Sequence, residues 1–346
     1  MITLWRSCQQ IAFGLALLTV GALPTTAASV GRWAAMKPDW FRSDEGRQVM
    51  TNILSWQADD GAWPKDRDNS AAAANIPRDR ISGTFDNGAT LGELRVLAAA
   101  FRATGDLRAR DAWRRGADVL LKAQYPSGGW PQRYPPGTGY HRHITFNDGT
   151  MIGILTWIRD MRRTPVDDAL LGDGRLAALD KAFDRGVDCV LRCQVKVDGR
   201  RTGWGAQHDA VDLALRPART FEPICLAVAE SAGVLRFLME LEKPTPEIVA
   251  AVNDGVAWLL SVRVPEIRQE SGPDGKRVVA APGAIGLWPR FCEYGSNRAI
   301  FCGRDGVIRY ALAEVPRERR DGYAWYGDWG QSVETRWKKW SRDRAR

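Results

Sequence analysis

Two short motifs carry the residues best suited to chemistry. Gly83-Thr-Phe-Asp-Asn-Gly-Ala-Thr90 and His143-Ile-Thr-Phe-Asn-Asp-Gly-Thr150 each set an acid beside an amide, directly behind a phenylalanine. Each stands just before a stretch of helical periodicity. Asp and Asn are favoured helix caps, and Asn-Gly and Asp-Gly are turn dipeptides, so either motif alone reads as a cap. Two of them at equivalent places on one loop face read as a cleft floor. Asp86 and Asp148, with Asn87 beside Asp86, offer hard oxygen ligands that suit a cation such as Ca2+. They lack the spacing of a dedicated calcium loop, so such a site is open and completed by substrate or water.

The next copies of the motif supply the opposite charge. Ala218-Arg-Thr-Phe-Glu-Pro223 has Arg219 two residues before its phenylalanine. Further along come Arg290, Arg298, Arg304 within Gly303-Arg-Asp-Gly306, and the pair Arg319 and Arg320 ahead of Gly322-Tyr-Ala-Trp-Tyr-Gly327. Lys65 follows a Trp-Pro turn. A single Arg or Lys is ordinarily a solvated surface charge. Several recurring at one set of loops form a carboxylate receptor, because the guanidinium fork binds carboxylates bidentately.

What must position these groups is an internal repeat. Gly116-Ala-Asp-Val-Leu-Leu-Lys-Ala-Gln124 matches Gly186-Val-Asp-Cys-Val-Leu-Arg-Cys-Gln194, and Gly255-Val-Ala-Trp-Leu-Leu-Ser-Val-Arg263 matches both. A weaker first copy ends at Gln57, so the end points 57, 124, 194 and 263 step by 67, 70 and 69 residues. Each copy reads as a helix with 3.6-residue periodicity, a Gly/Trp turn, a Gly/Pro-rich loop, and an aromatic (Phe85, Phe146, Phe221 or Phe301) opening a second helix. Helical pairs bury their apolar faces only against neighbouring pairs. They can stack as an open solenoid or close into a ring. The preferred reading is an all-α fold, an α/α toroid of paired helices in one domain over 29–346, with the long loops forming a cleft at one end.

Composition sets the context. Arg6 precedes a largely apolar run from Ile11 to Pro24, followed by small residues to Ser29, the pattern of a signal peptide over 1–28. The mature protein is then periplasmic or secreted, with no membrane association and no later spanning segment. Cleavage removes Arg6 and lowers the net charge from +8 to +7. A basic exported protein suits a polyanion such as a polyuronate, and no nucleic-acid motif accompanies the charge. Fifteen Trp lean weakly towards a sugar ligand. Five Cys remain after cleavage, an odd number for a monomer; Cys292 and Cys302 are spaced for a loop disulfide, while Cys189 and Cys193 read as packing on a helix.

Taken in order, Trp63-Pro-Lys65, Phe85-Asp-Asn-Gly-Ala-Thr90, Gly129-Trp-Pro131, Phe146-Asn-Asp-Gly149, Ala218-Arg-Thr-Phe-Glu-Pro223, Gly303-Arg-Asp-Gly306 and Arg320-Asp-Gly-Tyr-Ala-Trp-Tyr326 resemble the pectate lyases of polysaccharide lyase family 10. The resemblance covers nearly all of the mature chain. It implies an α/α toroid and anti-β-elimination of polygalacturonate to 4,5-unsaturated oligogalacturonates. It also implies Ca2+ held by Asp86 and Asp148 with Asn87 beside them, and Arg219 as the base at C5. Arg290, Arg304 and one of Arg319 or Arg320 would bind substrate carboxylates, with Lys65 a further candidate. Two other readings of the same residues remain: an inverting glycoside hydrolase using Asp86 and Asp148, and a non-catalytic binder of acidic polysaccharide.

Overall fold

A computed structural model describes residues 30–163, 168–172 and 174–344. The expected signal peptide and its cleavage point lie outside the described residues. Among those described, no helix is long and apolar enough to cross a membrane.

The main helices are α1 (Asp44–Ser55), α2 (Leu91–Thr104), α3 (Leu107–Ala123), α4 (Thr150–Arg163), α5 (Arg175–Arg192), α6 (Val228–Met239), α7 (Pro246–Ser261) and α8 (Trp329–Arg344). The amide-capping side chains of Ser43, Asp106 and Thr245 start α1, α3 and α7. Gly105, at φ 71°, ends α2 in the left-handed conformation. Helices α1, α3, α5 and α7 touch in succession and form one layer; α2, α4 and α6 form a second. Within each repeat the two layers meet, as α2 on α3, α4 on α5 and α6 on α7. The chain is mainly helical, with small sheets inserted in the long loops.

The repeated residues perform repeated work. Gln57, Gln124 and Gln194 stand just past α1, α3 and α5. Each amide donates twice: to a carbonyl of its own turn region (Gly61, Gly128, Thr202) and to one on the next helix of the layer (Ala112, Ala182, Ala251), all at 2.8–2.9 Å. The turn tryptophans Trp63, Trp130, Trp204 and Trp288 are fully buried, and their indoles donate to Ile53, Leu120, Val190 and Leu259 carbonyls at 2.7–2.8 Å. Gly116, Gly186 and Gly255 leave room for this packing. A Cβ on Gly186 would stand 2.6 Å from Leu155 and 2.8 Å from Trp130. Each copy therefore bonds its helix end to its own turn and to the next copy.

Burying these rings also answers the tryptophan count. Seven of them are fully buried, so they build the core instead of a sugar-stacking wall. Trp130→Ala removes a whole buried ring and its hydrogen bond. It should cost about 3–5 kcal/mol in urea unfolding; a loss under about 1 kcal/mol would show that the repeat does not depend on this clamp.

The fourth copy departs from expectation. Phe301 does not open a helix but lies in strand Ala299–Cys302 of a four-stranded antiparallel sheet, ordered Ile308–Arg309, Ala299–Cys302, Phe291–Cys292, Leu226–Ala227. No helical apolar period follows Phe301, and Gly303 and Gly306 interrupt the chain. Helix α8 instead packs on α6 and α7. The expected Cys292–Cys302 disulfide is also absent: all five described cysteines are unbonded and buried. Cys292 pairs with Ala299, so Cys302 lies three residues further along the strand, roughly 10 Å away and beyond disulfide reach. Cys189 and Cys193 simply pack, with sulfurs 3.9 Å apart.

Candidate active site

Both acidic motifs form a short 3-10 turn, Asp86–Gly88 and Asn147–Gly149, and the two turns touch. The second residue of each turn is left-handed: Asn87 at φ 54° and Asp148 at φ 50°. Asn and Asp tolerate that region better than other side chains with a Cβ. The fold thus explains why acid and amide change places. Asp86 matches Asn147 as the buried first residue, and Asn87 matches Asp148 as the left-handed second.

Asp86 is fully buried. Its Oδ2 accepts from Gln132 Nε2 at 2.6 Å and from Lys65 Nζ, whereas Oδ1 is buried with no hydrogen-bond partner. Burial works against the Lys65 charge, but Asp86, with Asp148 and Asp66 behind it, outweighs this and raises the ammonium pKa. Asp148 accepts from Asn147 Nδ2 at 2.9 Å. Its residue surface is open to solvent, yet the protein around it is dense enough to act on its charge. Burial first, then repulsion from Asp86 and Glu230, pushes its carboxyl up to about 6 against the pull of Arg290 and Arg219.

Arg290 enters this floor from the loop after Trp288. Its Nη2 donates to Glu230 Oε1 at 2.6 Å and to Asn147 Oδ1 at 3.4 Å. A second cationic group surrounds the Phe221 ring: Arg319 at 4.6 Å, Arg219 at 4.7 Å and Arg304 at 5.6 Å from its centroid. Arg219 Nε donates to Glu222 Oε2 at 2.7 Å, Nη2 donates to Oε1, and Tyr323 donates to the same carboxylate at 2.9 Å. The Glu222 hydrogen bonds hold the Arg219 pKa above the usual arginine value, despite burial. Arg304 is exposed and paired with Glu318 at 3.0 Å.

Of the residues expected from sequence, Lys65, Asp86, Asp148, Arg219, Arg290, Arg304 and Arg319 form one connected set of charges. Arg320 turns away and donates to the Ala313 and Asp274 carbonyls at 3.0 and 2.7 Å. Of the two neighbours, it is Arg319 that lies over the Phe221 ring beside Arg219. Asn87 sits in the turn beside Asp86, but the amide bonded to the second acid is Asn147. Sequence reading missed Gln132, Glu222 and Glu230. Glu222 stood in the Arg219 motif and could have been paired with it. Glu230 lies inside helix α6 with no local signal.

The oxygen donors are of the type calcium takes: Asp86 has an unpartnered buried oxygen, and burial first, then Asp86 and Glu230, raises the Asp148 carboxyl, so a cation would relieve both. Among the described residues no group of three His, Cys, Asp or Glu gathers there, so two carboxylates are all the anionic ligands on hand.

Behind the floor, fully buried Glu93 accepts from Asn69 Nδ2 at 2.8 Å, and the same nitrogen donates to the Pro64 carbonyl at 3.0 Å, steadying the turn that carries Lys65. Burial pushes the Glu93 carboxyl from 4.5 up to about 7. A raised carboxyl pKa means stability is full below the unfolded value and is lost as pH rises through the folded one. Between about pH 4.5 and 7 the loss is about 3 kcal/mol. Glu93→Gln should raise Tm at pH 8 and flatten this slope; a variant whose Tm follows the same pH curve as the parent would refute it.

Paired helical repeats that bring acids and arginines to one cleft define a class of protein built around a charged site on a helical scaffold. A family model described as Pectic acid lyase matches residues 57–334. A structure of a family 10 polysaccharide lyase from Cellvibrio cellulosa is 33% identical, with a TM-score of 0.78 over 92% of this chain and 97% of the other. A mutant of a family 10 polysaccharide lyase from Cellvibrio cellulosa, in complex with trigalacturonic acid, is 33% identical, with a TM-score of 0.77 over 91% and 96%. No curated protein sequence matches. The chain belongs to the pectic acid lyase family and is an enzyme of the polysaccharide lyase type.

Proposed function

We propose that the protein is an exported, monomeric pectate lyase, periplasmic or secreted, that cleaves polygalacturonate by calcium-assisted anti-β-elimination. Its two helical layers would curve into an incomplete α/α toroid with the cleft at one end. The observation that carries the reading is the meeting of Asp86 and Asp148 with Arg219, Arg290, Arg304 and Arg319 at one set of loops. The trigalacturonic acid held by a Cellvibrio relative supports the substrate class.

Asp86 and Asp148, with Asn87 beside them, would hold the calcium, and bound calcium would withdraw charge from a substrate carboxylate. Arg290, Arg304 and Arg319 would fix the other carboxylates, with Lys65 a further candidate. Cationic groups on the carboxylate next to C5 stabilise the enolate-like charge that develops. Arg219 would take the C5 proton; the C–H electrons form the C4–C5 double bond, and O4 leaves with the neighbouring sugar. Free arginine is effectively always protonated. The Glu222 pair favours that charged form, so it must part before Arg219 can accept a proton.

The test is the ultraviolet absorbance of an unsaturated uronide on polygalacturonate, with and without a calcium chelator. Absorbance should rise, and chelation should abolish the rise. A hydrolase would release reducing sugar with no absorbance, and a binder would do neither. No increase on polygalacturonate or its methylated forms would overturn the lyase reading.

A further inference from the structure

A cavity of about 510 Å³ opens beside Asp148, Glu230 and Arg290 and runs between α2, α4, α6 and α8. Glu230 and Glu240 both line it, ten residues apart on and just past α6, so it runs about 15 Å along that helix. Its two ends differ in charge. The end at the floor holds Asp148 and Glu230 with Arg290. The far end is lined by Arg95, Arg236 and Arg336, with Glu240, and is reached by solvent: the Arg95, Arg336 and Glu240 side chains are 38%, 50% and 39% exposed.

The guanidiniums at the far end are under-compensated. Arg336 pairs with Glu240 at 2.5 Å, and Arg159 takes the other Glu240 oxygen at 2.7 Å and Asp160 at 2.9 Å. Arg95 lies 4.0 Å from Asp160 and donates at 3.4 Å to the Leu91 carbonyl of its own helix. Arg236 has only long contacts, to the Trp329 carbonyl at 3.5 Å and the Ser332 hydroxyl at 3.3 Å. Asp328 borders the neighbouring surface pocket with Arg236. Among the described residues lining this end, three guanidiniums face one carboxylate, with Arg159, Asp160 and Asp328 just outside the lining. Burial, with Arg159 acting in the same direction against the pull of Asp160, lowers the Arg95 pKa; burial and then Arg336 lower that of Arg236. An anion between them would relieve both.

We propose that the far end of this cavity is a second oxyanion site, in which Arg95, Arg236 and Arg336 hold a carboxylate, sulfate or phosphate. Three forks converging on one space suit a small oxyanion. Glu240, at this end, stands about 15 Å along α6 from Glu230, which separates the site from the catalytic floor. The cavity has room for an anion as large as one uronate sugar, so the source is either a sugar carboxylate or an inorganic oxyanion. The inference does not depend on the lyase reading.

The probes are sulfate, phosphate and galacturonate, titrated into the full protein at constant ionic strength with chloride as control. Each bound anion should raise Tm by a few degrees at saturation. Arg95→Met and Arg236→Met should lose most of that rise. Galacturonate acting at lower concentration than phosphate assigns a sugar carboxylate; the reverse assigns an inorganic anion. Selenate soaked into crystals of the unaltered protein should give anomalous density among the three guanidiniums, which decides the matter if the variants do not fold. An equal Tm response in parent and variants, or no selenium peak at this place, overturns the proposal.

Discussion

Arg219→Ala is expected to lower kcat on polygalacturonate by about a thousandfold or more, the range for loss of a positioned proton acceptor or of a charge-stabilising donor. Stability should fall as well, because the Glu222 side chain is only 4% exposed and would keep Tyr323 as its side-chain donor after losing the arginine, so kcat must be read on the folded fraction. The informative variant is Arg219→Lys. If residue 219 accepts the proton, an amine has a lower intrinsic pKa and can reach its neutral form more readily. The pH–rate profile should then move to lower pH even though the maximum rate falls. If residue 219 only stabilises charge, the fork geometry is lost and the rate falls with the profile unmoved. Glu222→Gln sharpens the distinction. It removes the carboxylate that raises the Arg219 pKa, so a true base at 219 should work at lower pH in that variant.

Asp148→Asn is the second large effect. Activity should fall by at least about a hundredfold, and added calcium should restore little of it, because one of the two hard anionic ligands is gone. Stability should move the other way. The Asp148 charge is opposed by burial, Asp86 and Glu230. Neutralising it at pH 8 relieves that repulsion, so Tm without calcium should rise while activity drops. Calcium should raise the Tm of the parent, by mass action, and not that of the variant. A variant that keeps parental activity and calcium response would remove Asp148 from the metal site.

Both effects rest on groups that were visible as residues before they were visible as a site. Asp86, Asp148 and Arg219 all stand within two residues of Phe85, Phe146 and Phe221, and the repeat alone puts those phenylalanines on one face. The helix ends were equally legible. Gln57, Gln124 and Gln194 mark them because each copy needs the same amide to bond turn and neighbour, so the same residue recurs at nearly the same step.

The amino-acid sequence determined by itself the helical repeat, its period and the loop face that carries the acids and arginines, because those follow from local periodicity and turn chemistry. Family resemblance named the substrate and the reaction. Only the tertiary structure decided the rest. It paired Arg290 with Glu230 across 60 residues and Gln132 with Asp86 across 46. It turned Arg320 outward and Arg319 onto Phe221, a choice that adjacent arginines do not encode. It made the second half of the fourth copy a sheet, set Cys292 and Cys302 out of register, and left Arg95, Arg236 and Arg336 at one end of a cavity. Each of these depends on which distant segments meet, and local sequence carries no record of that.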